Sequence, residues 1–164
     1  MEAKAEYIEG DRKMNGKVFS INYSKKKGIS KTPIPEAMLI DGLGLEGDAH
    51  LGEGLRQVSL LAIESIRKQG ECPKVKETGQ VFGPGVFAEN ITTEGIDLTC
   101  VKIEDRYRIG HEVIIEISKI GKECHRYCSI YYKTGDCIMP KEGIFARVIK
   151  GGLIRTGDRI EVVL

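Results

Sequence analysis

Apolar and polar positions alternate along this chain in many short runs, few of them longer than six residues. Val18–Tyr23 (VFSINY) is β-branched and aromatic and predicts a strand. The basic, Gly-containing stretch Ser24–Lys31 predicts a loop, and Ala37–Ile40 a second strand. Gly42, Gly44 and Gly47 make GLGLEGDAH a loop with backbone freedom. Gln57–Leu61 predicts a strand running into a short helix over Ala62–Gln69, with Ile63 and Ile66 on one face and Gly70 as the stop. Glu71–Gly85 reads as mixed loop and Phe87–Thr92 (FAENIT) as a strand. Tyr107–Ile109 and Val113–Ile117 predict two strands around Gly110. Arg126–Lys133 is compatible with a short helix or a loop, and Ile144–Ile149 with a strand or a short helix. A turn at Lys150–Gly152 and a last strand over Arg159–Leu164 complete the pattern.

Many short strands with turns between them, few helices and no internal repeat predict a mostly β domain. A closed or partly closed β-barrel with a few short peripheral helices is the natural architecture, because closure removes exposed strand edges. At 164 residues the chain is long enough for one such core. Residues 1–13 (MEAKAEYIEGDRK) are polar and aperiodic and are expected to be an extension, leaving 14–164 as the domain.

Composition narrows the function classes. The 25 basic and 24 acidic residues nearly cancel, so no global field draws in nucleic acid or a membrane. Aromatic residues are scarce and Trp is absent, which argues against a base-stacking platform. Lys25-Lys26-Lys27 is either a local basic patch or a solvated loop. No apolar run is long enough to span a bilayer and the N-terminus lacks a signal-peptide core, so the protein is expected to be cytoplasmic. Five cysteines, an odd number, exclude a fully paired disulfide framework within one chain.

Three of those cysteines crowd into GKECHRYCSIYYKTGDC as Cys124, Cys128 and Cys137, whereas Cys72 and Cys100 stand alone. Thiolate is the nucleophilic and metal-binding form, and cationic neighbours favour it. Lys122, His125 and Arg126 supply such neighbours in sequence. A persulfide carrier, a soft-metal ligand, a structural zinc site and plain core packing are all open to this cluster; C-x-x-C, the thioredoxin-type spacing, is absent. Asp48 and His50 in EGDAH could orient one another or only shape a turn. Arg56 and Arg147 interrupt apolar runs, where an arginine either reaches solvent or meets an anionic ligand. Glu89-Asn90 is a site pair or a strand-end hydrogen-bonding pair. G-L-G-L-E-G matches G-x-G-x-x-G, but no helix pattern follows it, so a dinucleotide site is not expected.

Five segments in order, GLEGDAH (44–50), RQVSLLAIESI (56–66), FAENITTEGIDL (87–98), IGKECHRYC (120–128) and GDCIMPKEGIFARVIKGGLIRTGD (135–158), resemble the MOSC domain, named for the C-terminal domain of molybdenum-cofactor sulfurases. The resemblance covers about Gly16 to Leu164 and is to the stand-alone bacterial type. It implies a β-barrel and a functional cysteine at Cys124 or Cys128. That cysteine would accept sulfur as a persulfide from a pyridoxal-phosphate-dependent cysteine desulfurase. It would then deliver the sulfur to a metal–sulfur or molybdenum cofactor, with molybdenum-cofactor proteins as acceptors. Pyridoxal phosphate belongs to the desulfurase, so none is expected on this chain.

In that reading His125 and Lys122 stabilise the thiolate. Arg56 and Arg147 anchor an anionic phosphate or pterin, while Asp48, His50, Glu89 and Asn90 shape the cofactor pocket. Two alternatives stay open. One is a non-catalytic molybdopterin-binding module with Cys124 or Cys128 as metal ligand. The other is a molybdenum-dependent reductase of the amidoxime-reducing kind, whose relatives carry a further N-terminal region.

Overall fold

The computed structural model describes residues 15–79, 81–121, 138 and 142–164. Seven strands close into a barrel. They are β1 (Gly16–Tyr23), β5 (Val58–Ala62), β6 (Ile91–Glu94), β7 (Arg106–Ile109), β8 (Val113–Ile120), β9 (Ile144–Lys150) and β11 (Arg159–Val163). The order is β11-β7-β8-β9-β5-β6-β1, and β1 returns to β11 through Gly16 opposite Ile160 and Lys17 opposite Arg159. β2 (Thr32–Ile34) extends the far end of β1, and β3 (Glu36–Ile40), β4 (Gly44–Leu45) and β10 (Gly152–Arg155) form a separate three-stranded sheet. The mostly β, closed-barrel expectation therefore holds.

Alternation explains the strands. In β7 (RYRI) Tyr107 and Ile109 point inward and the arginines outward; in β3 Ala37 and Leu39 are buried while Glu36 and Met38 are exposed. The main core fills the barrel with residues such as Val18, Ile21, Val58, Ile91, Ile115, Ile117 and Ala146. One pair, β5–β6, is parallel and needs a crossover. The crossover begins with α1 (Ile63–Gly70) and α2 (Pro73–Thr78). α1 buries Ile63 and Ile66 in a second core with Leu61, Phe87, Ile138 and Phe145. Glu64 in its first turn and Arg67 and Lys68 in its last suit the helix dipole. α2 has Pro at its start and Gly79 at φ 73° past its end, a start and stop inside the stretch expected to be loop.

Other differences have local causes. β2, β4 and β10 were not expected, because strands of two to four residues exist only through their partners. The strand expected over Phe87–Thr92 begins at Ile91. Phe87–Asn90 belongs to a tight turn in which Gly85 (φ 84°) and Ala88 (φ 66°) are both left-handed. A side chain at Gly85 would collide with the carbonyl of Lys31, whose N–H bonds the Gly85 carbonyl at 2.8 Å. Gly44 is fixed the same way: an added Cβ would lie 2.5 Å from the Gln57 carbonyl oxygen. No helix follows Gly47 before β5, so the glycine spacing is structural.

Candidate functional site

The loop after β4 carries Asp48 and His50, and the loop after β1 ends at Lys31. These three side chains meet. Lys31 Nζ donates to Asp48 Oδ1 at 2.6 Å and lies 3.3 Å from His50 Nδ1. The His50 N–H donates to Asp48 Oδ2 at 3.0 Å, and Nδ1 stands 3.4 Å from the same oxygen. Asp48 also accepts from the Ser24 N–H at 3.0 Å, tying both loops together. Asp48 and Lys31 side chains are buried, whereas His50 remains 25% exposed. Burial opposes ionisation of Asp48, but hydrogen bonds from His50, Lys31 and the Ser24 and His50 N–H groups outweigh it. Its carboxyl is held well below the usual carboxylate range.

His50 Nδ1 thus stands between a donor and an acceptor. Unprotonated, it accepts from the Lys31 ammonium, which has only donors, and the ring proton sits on Nε2. Protonated, Nδ1 donates to Asp48 and Nε2 of a neutral ring is a base.

His50 lines an open cleft of about 530 Å³ with Lys27, Gly28, Glu53, Leu55, Arg56 and Lys119. Arg56 lies over the Phe145 ring at 5.7 Å. The Leu55 segment is docked by the Ser118 hydroxyl, which donates to the Leu55 carbonyl. Gln57 holds the same loop from below, donating to the carbonyls of Gly42 and Gly54 at 2.9 and 3.2 Å and accepting from the Val148 N–H.

Glu89 and Asn90 lie deeper. Glu89 is fully buried; its Oε2 accepts from the Gly85 N–H at 2.9 Å and the Thr92 hydroxyl at 2.6 Å. Its Oε1 has no hydrogen-bond partner among the described residues. Burial pushes the Glu89 carboxyl up, favouring the protonated form, and the bonds from Thr92 and Gly85 only partly offset this. Asn90 accepts from the Ser59 N–H and hydroxyl and donates to the Asn22 carbonyl, bridging β5 to β1. Both residues brace the turn that backs Lys31.

Arg147 is placed elsewhere. Its Nη2 donates to Glu116 Oε1 at 2.8 Å, and Arg106 Nε donates to the other oxygen at 2.9 Å. Arg106 and Arg147 hold the Glu116 carboxyl below its ordinary value. The structure therefore brings together Asp48, His50 and Arg56, keeps Glu89 and Asn90 beneath them, and commits Arg147 to an ion pair on the barrel wall. Lys122, Cys124, His125, Arg126, Cys128 and Cys137 lie outside the described residues, as does the extension expected at 1–13. Among the described residues no cluster of His, Cys, Asp and Glu gathers to hold a metal, and no helix is long and apolar enough to cross a membrane.

The family model of the MOSC domain matches residues 47–161, most of the chain and every strand from β5 to β10. The chain belongs to the MOSC domain family. MOSC domains are associated with molybdenum-cofactor proteins. The YuaD protein of Bacillus subtilis superposes with a TM-score of 0.71 at 19% identity, over 91% of this chain and 96% of that one. YiiM from Geobacillus stearothermophilus does so with 0.67 at 22%, over 90% and 75%, and YiiM from Escherichia coli with 0.65 at 24%, over 90% and 70%. These likenesses carry the fold. No curated protein matches the chain.

Within the MOSC barrel, Lys31 is the residue that sequence reasoning missed. It precedes the match and nothing in its local pattern distinguishes it from Lys25, Lys26 and Lys27. Gln57 was read as an ordinary strand residue, and Lys119 lies past the end of the strand expected over Val113–Ile117. The motif EGDAH was the signal that found the other two members of the buried group.

Proposed function

We propose that this protein is a sulfur carrier or transferase serving a metal–sulfur or molybdenum cofactor, with Cys124 or Cys128 holding the sulfur as a persulfide. The observation that carries this reading is the position of β8. Its Lys119 lines the cationic cleft, and the strand ends beside Gly121, directly before the cysteine segment. Cys124 follows Gly121 by three residues, a backbone reach of about 11 Å at most.

Loading requires a donor persulfide, such as that of a pyridoxal-phosphate-dependent cysteine desulfurase. The thiolate attacks the terminal sulfur, one S–S bond forms as the donor's breaks, and the donor cysteine leaves as a thiolate. No net oxidation occurs. His50 takes the proton of the attacking thiol on Nε2 when Nδ1–H is held by Asp48. His125 and Lys122 favour the thiolate by their charge.

The donor set of the cleft fits an anionic, phosphate-bearing ligand such as a molybdopterin: Lys27, Arg56, Lys119 and His50 all present nitrogen donors to it. When bound, such a cofactor supplies the metal centre that receives the sulfur. Arg56 and Lys119 would hold its phosphate, and Glu89 and Asn90 would keep the turn behind Lys31 rigid. The same donor set supports a second reading, a cofactor-binding module in which Cys124 or Cys128 ligates molybdenum. Near-stoichiometric molybdenum after gentle purification would favour that one.

Mass spectrometry after incubation with a cysteine desulfurase and cysteine tests the carrier reading. An adduct of about 32 Da is expected on the wild type. It should be missing when Cys124→Ala and Cys128→Ala are combined; an adduct persisting in that double variant overturns the assignment.

A further inference from the structure

We infer that the Lys25–Lys27 turn and the adjoining mouth of the cleft form a docking surface for an acidic protein, the one that donates sulfur to this chain. The inference rests on the carrier reading.

Charge pairing marks the surface out. Every arginine on β7, β9, β10 and β11 is matched to a carboxylate: Arg106 and Arg147 to Glu116, Arg108 and Arg159 to Glu161, Arg155 to Glu36. Lys25, Lys26, Lys27, Arg56 and Lys119 form no ion pair among the described residues. Glu53 is the one carboxylate lining the cleft that three of them share. In a chain whose net charge is +1, this concentrates unneutralised positive charge at one mouth.

The lysine turn is also held in place. The Ser24 hydroxyl accepts from the Lys26 N–H at 3.1 Å and donates to the Lys26 carbonyl at 3.0 Å. The Ser24 N–H is bonded to buried Asp48, and the Ser24 carbonyl accepts from the Ala49 N–H at 2.8 Å. Three exposed ammonium groups are thus presented on a turn bolted to the Lys31–Asp48–His50 group, and Lys27 is one wall of the cleft. A surface fixed before encounter loses less entropy on binding.

The partner's chemistry follows from what lies between the charges. Leu51 and Leu55 are 40% and 51% exposed beside His50 and Arg56. A free phosphate has no use for exposed leucines, whereas a protein surface covers apolar area and meets the cations with its own carboxylates. A nucleic acid would call for aromatic stacking or a strongly basic chain; the cleft lining has no Phe, Tyr or Trp and the chain's net charge is +1. Lys25 and Lys26 extend the positive charge beyond the cleft lining, where a small cofactor held inside it has less need of them.

The test compares two sulfur donors on one variant. Lys25→Glu combined with Lys26→Glu leaves the cleft lining intact and changes two exposed side chains. With a cysteine desulfurase and cysteine at low salt, the rate of persulfide loading is expected to fall by about ten-fold or more in the variant. The wild-type rate should fall similarly between about 50 and 300 mM salt. With glutathione persulfide as donor, wild type and variant should load within about two-fold of each other. Equal rates from the desulfurase in both proteins overturn the docking surface while leaving the carrier reading standing. A wild type that gains no sulfur from either donor overturns both. Equal slowing with both donors assigns the lysines to the chemistry and also overturns docking. Matching thermal midpoints for wild type and variant exclude a folding defect as the cause.

Discussion

The barrel wall over β7, β8, β9 and β11 and the mouth of the cleft handle the same residue types in opposite ways. On the wall, arginines sit opposite glutamates in register, Arg106 facing Glu116 and Glu116 facing Arg147. At the mouth, Lys27, Arg56 and Lys119 form no ion pair among the described residues although Glu53 lines the same cleft, and the paired charge there, Lys31–Asp48, is buried. Pairing on the wall neutralises charge that has no other task. Leaving the mouth unpaired keeps positive potential available to an incoming anion, and the buried pair fixes the loops that present it.

The largest effect expected from breaking this contrast lies in the buried pair. Asp48→Ala removes the carboxylate paired with the buried Lys31 ammonium and should cost about 3 kcal/mol in denaturant unfolding. Adding Lys31→Met should recover a good part of that; a double variant no better than the single would mean Asp48 acts only through the backbone of Ser24 and His50. The sign of the pH dependence is set by the depressed carboxyl. In the wild type the contribution of Asp48 is fully present above the unfolded value of about 3.9 and is lost as pH falls below it. Asp48→Asn should flatten that acid limb.

Next comes Glu89, under the mouth, which shifts the opposite way. Because burial favours its protonated form, the folded state retains a proton that the unfolded chain releases above about pH 4.3. Its stabilising contribution is present below that pH and declines above it, with a slope approaching about 1.4 kcal/mol per pH unit until the folded group ionises. Stability of Glu89→Gln measured against pH should lack this decline; an unchanged slope would place the titrating group elsewhere.

On the wall, Glu116→Ala deprives two half-exposed arginines, on the strands either side of β8, of their shared carboxylate. Solvent screens them, so a loss of about 1 kcal/mol is expected, with salt reducing the difference from wild type. At the mouth, Lys119→Gln should change stability by less than about 0.5 kcal/mol, because no partner is lost. Its effect should fall on ligand binding, and a melting shift as large as that of Glu116→Ala would erase the distinction between the two regions.

Much of this arrangement was legible in the sequence where periodicity carried it. The strand-forming runs Tyr107–Ile109 and VIIEI on either side of Gly110 and the Ile63/Ile66 spacing gave the wall strands and α1, and the order of the MOSC segments gave the family. What escaped was set by contacts between distant positions. FAENIT has strand-forming residues in Phe87, Ile91 and Thr92, yet positive φ at Gly85 and Ala88 holds its first four residues in a turn. Arg147 interrupts an apolar run as a ligand-binding arginine would, and its partner Glu116 lies across the long 121–143 connection. Lys31 is buried with Asp48 folded against it, a pairing that joins two loops distant in sequence. EGDAH advertised the acid and the imidazole, but nothing nearby advertised the base.

The Gly121 N–H bonds the Gly143 carbonyl at 2.8 Å, so the chain leaves and re-enters the barrel at a single rung of the β8–β9 ladder. Closure of that excursion is already secured by the ladder, and lengthening a closed loop costs only about 0.6 kcal/mol for each doubling. The length of the 121–143 connection can therefore change at little cost in closure entropy, while Ile138 within it is packed in the second core.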